Sequence, residues 1–236
     1  MIKRKLLKYR DFKALLSTTK SKSDPIWCSI IFRPISFPMG WVLYKIGVTA
    51  NAVSFFSIFL TIVSCVIIVF GGGNAIFFAS LLMLIVSLSD CIDGNIARAR
   101  GDTGPFGEWL DALSGYIVYA FLPLSIGIHL SLQNSGAVFP GFWIVIGALT
   151  AISNLLFRLA YQKYINTMAI MIKTKDKNSR SFFFRISGEF GLVGWMMPAL
   201  CISLLFNILE LYLAFYCFFY LASFFAVLFV LVRRTF

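Results

Sequence analysis

Long apolar runs dominate the chain after residue 49, with little of the apolar–polar alternation that marks a half-buried strand. Windows near residues 50–70, 75–97, 106–130, 138–161, 188–206 and 209–232 meet or approach the length that a bilayer-spanning helix requires. Turn formers separate the first two, as Gly71-Gly72-Gly73-Asn74. The pattern predicts an all-α polytopic membrane protein with six transmembrane helices, preceded by an N-terminal interfacial amphipathic segment.

That preceding segment is patterned differently. Met1–Ser23 is polybasic, and no apolar region follows it directly, which argues against a cleaved signal peptide. Two readings of it stay open, a surface helix on anionic lipid and a solvated tail. Pro25–Ile46 is aromatic and apolar but is interrupted by Arg33, Pro34, Pro38 and Lys45. Proline inside a span costs about 3 kcal/mol unless the helix adapts. The segment is therefore expected to lie in the interface, with Trp27 and Trp41 at headgroup level. The domain layout that follows is a cytoplasmic polybasic and interfacial segment over 1–48 and a six-helix transmembrane domain over 49–236.

Composition supports this layout. The chain is 59% hydrophobic and 13% charged, with 26 phenylalanines, far more apolar than a soluble domain. Charge then orients it. Of 21 basic residues, ten precede residue 46, two follow the second span, seven lie between Arg158 and Arg185, and two close the chain. The connections at Gly71–Asn74, Ser131–Gly141 and Phe206–Leu209 hold none. With six spans, every basic cluster falls on one face, which the positive-inside rule makes cytoplasmic, together with both termini. The net charge of +11 points to anionic headgroups and phosphate substrates, with no nucleic acid as partner. The five cysteines form no CxxC pair and read as packing residues.

Chemistry concentrates between residues 90 and 115. Asp90 and Asp93 stand three apart at the end of the second span, followed by Gly94, Ala97 and Arg98; Gly107, Asp111 and Gly115 stand four apart at the start of the third. These spacings put each set on one helical face. If the loop with Gly101 and Gly104-Pro105 lets the two helices meet as an antiparallel pair, three carboxylates converge at the membrane surface. Carboxylates beside lipid are costly unless paired or metal-bound, and hard oxygen donors suit Mg2+ or Mn2+. Arg98 is placed to reach a phosphate. Gly94 and Ala97 leave room for a nucleotide, and Gly107 permits close approach.

This spacing resembles the signature of the CDP-alcohol phosphotransferase (phosphatidyltransferase) family. The resemblance implies a six-helix membrane enzyme, usually a homodimer, that transfers a substituted phosphoryl group from a CDP-linked donor to a lipid or alcohol acceptor and releases CMP. It further implies that Asp90, Asp93 and Asp111 bind the metal, and that Gly94, Ala97, Arg98 and Gly107 bind the CDP moiety. The stretch from Arg33-Pro34 through Val48-Thr49-Ala50-Asn51-Ala52-Val53-Ser54 also resembles the family's opening region, with Ala50 where proline is common.

At Gly115 the family carries a fourth aspartate, thought to deprotonate the acceptor. Glu108 lies on the same helical stripe but about 10 Å away along the axis; Asp102 and Glu189 are further acids of unknown geometry. His129 is expected near the opposite membrane face, away from catalysis. Three outcomes stay open: a transferase with a relocated base, transfer onto an already anionic lipid phosphate, and a non-catalytic homologue that binds CDP-alcohol or lipid. Arg158 and Arg185 are candidates for an anionic headgroup, with topology-setting charge as their plain alternative.

Overall fold

A computed structural model describes residues 7–20, 24–102, 104–133, 137–171 and 188–235. Among these residues the chain is helical with no strands, as the apolar runs predict. Its helices are α1 (Tyr9–Lys20), α2 (Arg33–Lys45), α3 (Ala50–Phe70), α4 (Gly73–Arg100), α5 (Pro105–Leu132), α6 (Phe142–Met171), α7 (Met197–Leu205) and α8 (Leu209–Thr235). A π-helical turn leads into α2 (Cys28–Phe32) and another into α7 (Leu192–Met196).

Five of the six expected spans are helices long and apolar enough to cross a membrane: α3, α4, α5, α6 and α8. The expected fifth span is instead a shorter apolar helix, Leu192–Leu205. The reason lies in its glycines. Gly194 takes non-helical angles (φ −97°, ψ −132°), and a Cβ there would collide with the Glu189 carbonyl. A broken helix strands backbone groups where water is scarce, and neighbouring side chains capture them. Leu192 N–H donates to Tyr119 Oη at 2.9 Å, Ser87 Oγ donates to the Leu192 carbonyl at 2.9 Å, and Tyr212 Oη donates to the Met196 carbonyl at 3.2 Å.

Packing follows small residues as well as large ones. Helix α3 packs against both α4 and α5, α5 against α6, and α6 against α8. At the α5–α6 crossing, a Cβ on Gly127 would strike the Trp143 carbonyl and one on Gly147 the Pro123 carbonyl. Backbones approach this closely only where side chains are absent. Met83, Val86, Val118, Leu122, Ile126, Met197, Leu200 and Leu213 fill the interior. Phe215, Phe218, Phe225 and Phe229 of α8 face outward, as lipid-facing residues do.

The N-terminal segment is more ordered than its prolines suggest. Pro34 occupies the first turn of α2, where a missing N–H costs nothing, and Pro38 is carried on its exposed side. Helix α1 is amphipathic: Phe12 and Leu16 are buried, while Lys8, Arg10 and Lys13 are exposed. It packs on α2 and α4, and Trp41 Nε1 donates to the Leu7 carbonyl at 3.1 Å.

Candidate functional site

The acidic cluster is built by the end of one helix and the starts of two others. Helix α4 stops after Arg100 because Gly101 adopts a left-handed conformation (φ 64°), and Asp102 N–H turns back to the Ala97 carbonyl at 3.0 Å. Gly104 and Pro105 then open α5, with proline in its first turn. Helix α3 starts at Thr49, whose hydroxyl accepts from Ala52 N–H at 3.2 Å.

One expectation is corrected by this arrangement. Among the described residues α4 and α5 do not form a closely packed pair; α3 packs on both instead. The reason is steric: α3 is itself an apolar helix and fills the groove that a direct pair would close. The motif residues of α4 and α5 therefore share a floor supplied by α3. From that floor Ser54 Oγ donates to Asp93 Oδ2 at 2.7 Å, and a Cβ on Gly107 would come within 3.8 Å of Asn51 Oδ1.

Asp93 is buried, Asp90 half-buried and Asp111 exposed. The Asp93 carboxyl lies within electrostatic range of both Asp90 and Asp111. Among the described residues no three His, Cys, Asp or Glu side chains are drawn tightly enough to cage an ion. The donor chemistry, all carboxylate and hydroxyl oxygen, nonetheless fits Mg2+ or Mn2+.

The space above Gly94 is taken by Arg98. A Cβ on Gly94 would come within 3.3 Å of the Arg98 guanidinium, which folds back along α4. Its Nη2 donates to Asn95 Oδ1 at 2.9 Å, and its Nε is buried with no hydrogen-bond partner. Arg33 of α2 reaches the same Asn95 oxygen from Nη1 at 3.2 Å and pairs with Asp24 through Nε at 2.6 Å. Burial works against the Arg33 charge, but the hydrogen-bonded Asp24 carboxylate offsets it, so its pKa rises above the ordinary value. Asn95, Ser54 and Arg33 escaped notice as site residues; a polar residue inside the motif stretch was the available signal for Asn95.

Gly115 is half-buried, and a Cβ there would meet only Tyr119 Cε2, at 3.8 Å. The acids considered near it are placed as follows. Glu108 is exposed in the first turn of α5, Asp102 is exposed in the preceding loop, and Glu189 Oε2 accepts from Ile26 N–H at 2.9 Å. His129 is buried near the far end of α5, beside the Val69 backbone. Arg158 stacks on the Tyr119 ring at 3.8 Å and donates to Asn154 Oδ1 at 2.8 Å. Arg185 lies outside the described residues.

Comparison with known proteins adds one finding to this geometry. No curated protein matches the chain. The family model for CDP-alcohol phosphatidyltransferases matches residues 47–232, which include all three motif aspartates, and the chain belongs to that family.

Proposed function

We propose that the chain transfers a substituted phosphoryl group from a CDP-linked donor to a lipid or alcohol acceptor at the cytoplasmic membrane face. CMP is released, and the product enters phospholipid or related lipid-linked biosynthesis. One observation supports this above the rest: in a chain of the CDP-alcohol phosphatidyltransferase family, the Asp93 carboxyl lies within electrostatic range of both Asp90 and Asp111. The cytoplasmic face and cytoplasmic termini rest on the basic clusters. A homodimer is proposed on family likeness.

The reaction forms a bond from an acceptor oxygen to the donor phosphorus and breaks the phosphorus–oxygen bond to CMP. A hydroxyl acceptor also gives up a proton. Asp90, Asp93 and Asp111 would hold Mg2+ or Mn2+, which when bound would neutralise charge on the diphosphate and polarise it. The chain's own residues do the positioning. Ser54 fixes the orientation of Asp93, and Arg98 offers charge-assisted hydrogen bonds to phosphate. Ala97 and Gly107 complete the CDP-binding surface, while Arg98 lies over Gly94.

The open position at Gly115 favours a second reading, an acceptor that is already an anionic lipid phosphate and needs no base. Incubation with CDP-diacylglycerol and Mg2+ tests the transferase reading: CMP release that EDTA abolishes is expected. Folded protein that binds the donor but releases no CMP with any acceptor sinks it, and leaves a binding homologue. A diphosphate product selects the anionic acceptor, a phosphodiester the alcohol. Replacement Gly115→Asp sharpens the choice, with a gain of about 100-fold on alcohols marking a lost base and a loss of activity marking an acceptor that fills the space.

A further inference from the structure

Two guanidinium groups share one acceptor atom beside the motif. Arg33 Nη1 and Arg98 Nη2 lie 3.2 and 2.9 Å from Asn95 Oδ1, which holds the two nitrogens no more than about 6 Å apart. They come from different helices, α2 and α4, 65 positions apart in sequence. Such closeness is set by tertiary packing alone.

The bridge between them is locked. Asn95 is fully buried, and its Nδ2 donates to Ser36 Oγ at 3.0 Å, which turns Oδ1 toward the arginines. Ser36 Oγ donates in turn to the Arg33 carbonyl at 3.0 Å. Asp24 neutralises Arg33, which keeps a side-chain exposure of 13%. Arg98 carries a buried Nε without a partner, and the Arg33 charge presses on it. Arg33 has its counterion in Asp24, but Arg98 beside it forms no ion pair among the described residues. A cation in a poorly hydrated site is costly unless an anion joins it. Forked guanidinium donors match phosphate oxygens two at a time.

We propose that Arg33, which lies outside the family-matched residues, is a second phosphate ligand, and that Arg33 and Arg98 together clamp the donor's diphosphate. The proposal rests on the transferase reading above and deepens it. One guanidinium takes each phosphate, so the clamp distinguishes a nucleoside diphosphate from a nucleoside monophosphate. Asn95 and Ser36 are positioning residues: they set the spacing of the two heads and touch no substrate. Gly94 serves the same end, since a side chain there would press on the folded-back Arg98 guanidinium.

The test is calorimetric titration of the purified full chain, in neutral-lipid nanodiscs with Mg2+, against CDP and against CMP. Replacing Arg33→Gln is expected to weaken CDP binding about 10- to 30-fold, since a charge-assisted contact is lost, and to leave CMP binding within about 3-fold. Arg33→Lys should recover part of the CDP affinity, because the charge returns without the fork. Equal losses for CDP and CMP would overturn the clamp and reduce Arg33 to a strut between α2 and α4. An unchanged CDP affinity would overturn it outright. Wild-type protein that binds neither nucleotide defeats the transferase reading itself, a result distinct from a variant that matches wild type. If Arg33→Gln does not fold, Asp24→Asn releases Arg33 from its counterion and should tighten CDP relative to CMP; no change in that preference overturns the clamp.

Discussion

Residues 7–45 and the family-matched body both press on α4, but they do so by different means. The body meets it mainly through apolar packing, as Met83 and Val86 in the core where α4 meets α3 and α7. The N-terminal segment adds specific pairings: Arg33 and Ser36 with Asn95, and Cys28 with Cys91 at an Sγ–Sγ distance of 3.5 Å. Those pairings fall on the turns of α4 that carry Asp90 and Asp93. Apolar packing tolerates shifts of register, whereas a buried hydrogen bond does not. The contrast suggests a division of labour in which the body supplies the carboxylates and the N-terminal segment fixes the surroundings of the motif helix.

The sharpest way to break the contrast is to remove the body's central carboxylate. Asp93→Asn, which keeps shape, should lower CMP release by about 1000-fold, close to 4 kcal/mol of barrier, with melting in detergent little changed. A rate within tenfold of wild type would move the chemistry elsewhere. Next comes the body's packing. Gly147→Leu forces α5 and α6 apart at their tightest crossing and should cost about 1–3 kcal/mol or more, read as a lower melting temperature in detergent.

The N-terminal segment should respond locally. Phe12 is fully buried against Gly40 and Tyr44. Phe12→Ala should free α1, seen as faster proteolysis within residues 7–20, while the melting of the body holds; a body that melts with it would erase the distinction between the two regions. Ser54→Ala removes one hydrogen bond to Asp93 and should slow turnover about 5- to 10-fold, the scale of a single contact near 1 kcal/mol. The smallest effect is a structural one. Mild oxidation should join Cys28 to Cys91, detected as a linked peptide pair by mass spectrometry and absent in Cys28→Ser. Failure to link would mean that α2 does not rest where the structure puts it.

The parts of the site that were legible in the sequence are those fixed by short-range spacing. Asp90 and Asp93 share a face because a helix repeats every 3.6 residues, and Gly101 and Pro105 announce the turn between α4 and α5. The contact of α4 with α5 was not legible, because α3 decides it by packing on both. Asn95, Ser54 and Arg33 looked like ordinary polar residues, since a polar side chain gains its role from what lies opposite. The fifth span shows the same limit. Its glycines were visible, but its shortened helix depends on Tyr119, Ser87 and Tyr212 being present to satisfy the broken backbone.

The sequence by itself determined the membrane class, the family and the set of three carboxylates, because hydropathy and helical period act over a few turns of one chain segment. Only the tertiary structure decided that the motif helices share a floor supplied by α3, and that Arg33 comes to share an acceptor with Arg98. Both depend on packing between segments far apart in sequence, where shape and partner, rather than local pattern, set the distances.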